Sequence, residues 1–138
     1  MSSKNYAAID IGSNAVRLLI KKVTRNDSTG EDKFSKVLLL RVPLRLGFDV
    51  FEQGEISPVK EERMRRLMKA YRHLMKIYEV ESFRACATSA MRDAKNGKDI
   101  IKKIKKSTGI NIEIIDGQEE AQMIYNNHLE CKEDQNGN

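Results

Sequence analysis

The 138-residue chain predicts an α/β fold, one mixed five-stranded sheet covered by helices in the order β-β-β-α-β-α-β-α. Three observations predict it. The first third holds three apolar runs separated by short polar turns. Two later segments, 58–78 and 99–108, carry apolar residues at spacings of three and four, the helical period. Each of those is followed by another short strand-like run.

Residues 6–10 read as the first strand and 15–23 as the second, with Asp10 to Asn14 as the turn between them. Thr24 to Asp32, with Gly30, is a second polar turn. Phe34 to Leu46 reads as a third strand, and Pro43 inside it marks an edge or a bulge. Short connections make these three an antiparallel meander. Gly47 to Gly54 reads as a loop holding Asp49 and Glu52.

Ser57-Pro58 opens a helix, with Ser57 at the N-cap, Pro58 at the first helical position and Glu61 and Glu62 in the electropositive first turns. Met64, Leu67, Met68, Tyr71, Leu74, Met75 and Tyr78 form its apolar stripe. A core face explains the methionines better than a promiscuous groove. Glu81 to Ala87 is the fourth strand and leads into a short helix capped by Thr88 or Ser89. Asn96-Gly97 is a turn. Asp99 to Thr108 is a second amphipathic helix closed by Gly109. Asn111 to Ile115 is the fifth strand, Asp116-Gly117 a turn, and Gln118 to about Asn127 a last helix. Residues 1–127 then form one lobe and the polar residues 128–138 a linker.

Composition narrows the function classes. No apolar stretch is long enough to span a membrane, and Met1 to Lys4 followed by an interrupted apolar run is not a secretory leader. Cys86 and Cys131 form neither a disulfide framework nor a metal-ligand spacing, which predicts a reducing, cytoplasmic setting. The net charge of +5 comes largely from Lys60 to Lys76 and Lys95 to Lys106. Solvated helix faces account for it, and so does a field that attracts a polyanion. A nucleic-acid-binding domain is disfavoured, because aromatics make up only 6% and no recognition-helix motif is present.

In an open sheet with parallel strands, ligands gather at strand C-terminal ends. The turn at Asp10 to Asn14, the step at Thr88 and the turn at Asp116-Gly117 all follow such ends, so three distant stretches converge on one edge. Gly12, Ser13 and Asn14 suit an anion cradle and equally an ordinary hairpin turn. Asp10 is placed to hold a cation directly or through water. Arg92 offers a forked cation for phosphate oxygens, against a salt bridge to Asp93, Asp99 or Asp116. Glu119 and Glu120 sit at a helix start, where a carboxylate either positions water as a general base or merely stabilises the helix. Spacing alone does not separate the two glutamates. His73 and His128 are isolated, and the glycines form neither a P-loop nor a dinucleotide fingerprint.

Ala8-Ile9-Asp10-Ile11-Gly12-Ser13-Asn14, with Arg17 beyond it, resembles the opening phosphate-binding motif of the exopolyphosphatase/guanosine pentaphosphate phosphatase (Ppx/GppA) family. Ala87-Thr88-Ser89-Ala90-Met91-Arg92-Asp93-Ala94 resembles the family's second block. Ile112 to Ala121, with Ile124-Tyr125, resembles its third. The resemblance implies a ribonuclease H-like lobe of the actin-like ATPase superfamily. It also implies hydrolysis of the terminal phosphoanhydride of inorganic polyphosphate or of guanosine pentaphosphate, with Mg²⁺ or a similar divalent cation. By the same resemblance Glu120 is the catalytic base and Arg92 contacts the transferring phosphate. Gly12, Ser13 and Asn14 form the phosphate loop, and Asp10 lies near the metal. Ala15 departs from the serine common in the family.

The family's second glycine-rich loop, Asp-x-Gly-Gly-Gly-Ser, with its acidic metal ligands, would begin where this chain stops at Asn138. The expectation is therefore an N-terminal lobe with half an active site, little activity alone, and a full-length form that can pair as a homodimer. The alternative from another class is a non-catalytic phosphate- or nucleotide-binding lobe.

Overall fold

The β1 strand, Ser2–Ile11, lies at the centre of the sheet because both of its edges are paired. The computed structural model describes residues 2–116. β2 (Val16–Arg25) runs antiparallel to β1, with Asp10 opposite Arg17 and Ile11 opposite Val16. β3 (Asp32–Val42) pairs antiparallel with β2 and forms one edge. β4 (Val80–Ala87) pairs parallel with the other side of β1, and β5 (Ile112–Ile114) parallel with β4. The spatial order is β3-β2-β1-β4-β5, the mixed sheet that the sequence predicts.

Alternation decides which face of the sheet is covered. Ala7, Ile9 and Ile11 of β1 stand on one face with Val16, Leu18 and Ile20 of β2 and Ala85 and Ala87 of β4, all buried. Helix α2 (Pro58–Ile77) packs into that core with Met64, Met68, Tyr71 and Met75. The methionine stripe is therefore core. The Tyr71 hydroxyl donates to the Val16 carbonyl at 2.8 Å, and burial pushes its pKa up to about 12. α2 starts as expected, with Pro58 in its first turn and the Ser57 hydroxyl accepting from the Lys60 amide. Helix α4 (Gly97–Thr108) buries Ile100 and Ile104 and ends on Gly109 in the left-handed conformation. Among the described residues no helix is long and apolar enough to cross a membrane.

Three sequence expectations are corrected. Residues 47–54 are not a loop: helix α1 spans Leu46–Gln53. Its two flanking glycines mimic loop signals, but Gly54 is a left-handed helix stop and Gly47 is a close-packing position. β3 ends at Val42 rather than running to Leu46, because Pro43 has no N–H to offer the ladder. The short helix α3 (Ser89–Asp93) has Thr88 at its N-cap position, but no side-chain hydrogen bond caps it. The expected helix 118–127 and linker 128–138 lie outside the described residues.

The reassigned segment holds the most enclosed carboxylate among the described residues. Asp49 of α1 is buried, accepts from the Ser57 amide at 3.0 Å and pairs with the Lys60 ammonium at 2.7 Å. Burial works against its charge, but the Lys60 and Ser57 bonds outweigh burial and hold its carboxyl below the ordinary value. A depressed folded pKa stabilises the fold above the unfolded value, and that contribution fades as pH falls through the folded one. Asp49→Asn should therefore lower stability by about 1–3 kcal/mol near neutral pH. The gap to the parent chain should shrink below about pH 4. Urea unfolding at both pH values measures it, and an equal gap at both would refute the assignment.

Candidate anion site at the strand ends

β1, β4 and β5 are parallel, so Ile11, Ala87 and Ile114 all end on one edge of the sheet. Backbone bonds tie the exits together. The Thr88 amide donates to the Ile11 carbonyl at 3.2 Å, and the Ile115 amide to the Ala87 carbonyl at 2.9 Å. The three stretches that the sequence analysis sends to one edge do meet there, as far as Asp116. Gly117 and Glu120 lie outside the described residues.

The turn after β1 is closed by the Gly12 amide on the Ala15 carbonyl at 3.0 Å. Its next two carbonyls are claimed from one side. Ser13 accepts from the Gly47 amide and Asn14 from the Arg45 amide, each at 2.9 Å. Among the described residues no such bond uses the amides of Ser13 or Asn14. A turn whose carbonyls are tied back and whose amides are unspent is a cradle for an anion. The Ser13 hydroxyl lies 2.9 Å from that of Ser89, 76 residues away, so the first and second motifs touch. Asn14 is exposed beside them.

Arg92 stands on α3 and donates from Nη1 to the Ile115 carbonyl at 3.1 Å. Of the carboxylates considered as its partners, Asp93 is close, at a loose 3.7 Å from Nε. The backbone bond to Ile115 holds the guanidinium at the β5 end, with its side chain 41% exposed, so donors remain for a ligand. Asp10 is engaged differently. Its Oδ2 pairs with Arg17 of β2 at 2.5 Å, its register partner across the ladder. Among the described residues no group of three or more His, Cys, Asp and Glu could hold a metal ion. Magnesium is commonly held by one or two carboxylates plus phosphate oxygens and water, so Asp10 fits as one ligand of an incomplete set.

Sequence reasoning missed α1 as a wall of this site. Arg45, just before α1, adopts φ 55°, unusual for a side chain of that size, and its amide is the one on Asn14. A Cβ on Gly47 would stand 2.8 Å from the Ser13 Cβ. The signal was the pair Leu46 and Val50, which flank Gly47 at the four-residue spacing of one helical face. Gly47→Ala should displace Ser13 and weaken tripolyphosphate binding by about tenfold, the cost of one hydrogen bond to a charged group. Calorimetric titration measures this, with circular dichroism expected to show an intact fold; unchanged affinity would remove Ser13 from the site.

Known proteins of similar sequence and fold identify the relatives of this chain. The model of the Ppx/GppA phosphatase family matches residues 23–136. A crystal structure of the Aquifex aeolicus member of the Ppx/GppA family superposes with a TM-score of 0.78 at 31% identity, over 86% of this chain and 37% of that one. An exopolyphosphatase from Cytophaga hutchinsonii superposes at 0.74 with 27% identity, over 86% and 36%. A bifunctional 3-dehydroquinate synthase/phosphatase of Fusobacterium nucleatum is 35% identical over 121 residues, which is 86% of this chain and 18% of that protein. The chain thus spans about a third of the solved relatives and less of the curated one.

Proposed function

Because the chain belongs to the Ppx/GppA phosphatase family, we propose that it is the N-terminal lobe of a hydrolase for the terminal phosphoanhydride of inorganic polyphosphate or guanosine pentaphosphate. The observation that carries this reading is the contact of the Ser13 and Ser89 hydroxyls beside a backbone-anchored Arg92. The stretches that resemble two of the family's motifs are in contact there.

In this reading the amides and hydroxyl of the Gly12-Ser13-Asn14 turn hold the non-bridging oxygens of the terminal phosphate. The Arg92 fork neutralises charge that develops as the anhydride breaks. Glu120, by the resemblance, takes a proton from the attacking water and orients it in line with the leaving phosphate. Magnesium, when bound, would supply further charge neutralisation, and among the described residues Asp10 would hold it. Opposite walls and further acidic ligands are assigned to a second lobe, so the 138-residue chain alone should release little phosphate. A homodimer of the full-length form and a cytoplasmic setting belong to the same proposal, and the burial of Cys86 is compatible with that setting.

The test is phosphate release from both substrates by the longest reading frame that contains this chain. Glu120→Gln should cut kcat by about 10²–10⁴-fold, the usual share of a general base. Arg92→Lys should also slow the reaction, since an ammonium keeps the charge but loses the fork. Rates untouched by Glu120→Gln, with polyphosphate still bound, would favour a non-catalytic binding lobe.

A further inference from the structure

Helix α4 carries Lys98, Lys102, Lys103, Lys105 and Lys106 within twelve residues. Lys103 is committed: its ammonium lies 3.1 Å from Asp99 and 3.4 Å from Glu61 of α2. The other four are exposed, and among the described residues no carboxylate pairs with them. At 3.6 residues per turn, Lys98, Lys102 and Lys105 fall within an arc of about 60° and span roughly 10 Å. Like charges at these spacings destabilise a helix. Lys105 and Lys106 are compensated by the negative end of the helix, but Lys98 sits in the first turn, where the dipole opposes a cation. An ordinary solvated face does not explain Lys98.

The position of the stripe supplies the explanation. Gly97, the first residue of α4, packs so tightly on the Met91 carbonyl that a Cβ there would stand 2.1 Å from it. Met91 immediately precedes Arg92. The stripe therefore starts against the helix that carries the site's arginine. α2 lies over β2 through Tyr71, and Lys103 marks the flank of α4 that faces α2. Lys98, Lys102 and Lys105 lie on the other flank of α4, away from Lys103.

We infer that this stripe is a track for the distal phosphates of a linear inorganic polyphosphate whose terminal phosphate sits at the Ser13–Arg92 edge. The inference rests on the reading above and selects between its two substrate classes. Flexible ammonium groups suit a chain with charge at every unit and no planar group to align. A nucleotide or single-stranded RNA would instead call for a stacking ring, and α4 contains no aromatic residue.

The experiment is titration of the 138-residue chain with long-chain polyphosphate and with tripolyphosphate over a range of salt. The parent is compared with Lys98→Glu/Lys102→Glu/Lys105→Glu and with the matching triple Gln variant, which removes charge without reversing it. The Glu variant should weaken long-chain binding by about tenfold or more and flatten its salt dependence by about two units of slope, while tripolyphosphate binding stays unchanged. The Gln variant should lie between. Unchanged long-chain affinity in folded variants, no long-chain affinity in the parent, or an equal loss for tripolyphosphate would each overturn the track. An RNA oligomer bound as tightly as polyphosphate, and lost with it, would overturn the substrate assignment. Binding is read without turnover, so the track and the Glu120-dependent hydrolysis can fail independently.

Discussion

The parallel pairing of β1 with β4 is the constraint on which the rest depends. Parallel neighbours must end on the same side of a sheet, and a helical crossover has to return the chain to make them so. Here the register sets Ile11 beside Ala87. The residues that follow, Gly12-Ser13 in one case and Thr88-Ser89 in the other, then have no choice but to be neighbours. The 2.9 Å contact of Ser13 with Ser89 follows from that register. A slip of β4 by one residue against β1 would turn Ala85 and Ala87 out of the core, so burial protects the geometry of the site.

Burial also explains why the site is held from behind. α2 and its methionines close the covered face of the sheet, and Asp49, Ser57 and Lys60 join α1 to the start of α2. Gly47 of α1 and Arg45 just before it in turn bond the carbonyls of Ser13 and Asn14. A path of hydrogen bonds thus runs from the helical layer to the turn proposed as the phosphate cradle. The turn is pre-shaped before any ligand arrives, which lowers the ordering cost of binding.

The charge distribution divides into committed and uncommitted cations. Arg17 and Lys60 serve Asp10 and Asp49, and Lys103 serves Asp99 and Glu61. Arg92 is held by a carbonyl, which orients it without neutralising it. The α4 stripe adds charge that no carboxylate among the described residues pairs with. This gradient is what a basic chain of net charge +5 needs in order to concentrate positive potential at one edge rather than spread it evenly.

Periodicity and local chemistry in the sequence were enough to determine the order of the five strands, the Ser57-Pro58 start of α2, the methionine core stripe and the edge on which the motifs meet. Each rests on residues within a few positions of one another, where spacing alone decides which face is apolar. Tertiary structure decided the rest. Gly47 reads as a loop residue until Ser13 is placed against it, and Asp10 reads as a free carboxylate until the β1–β2 register sets Arg17 opposite. Arg92 was weighed as a salt-bridge partner, but its main anchor is the Ile115 carbonyl, 23 residues on. Such contacts join positions far apart in the chain. They follow from strand register and helix packing, which no local window of sequence contains.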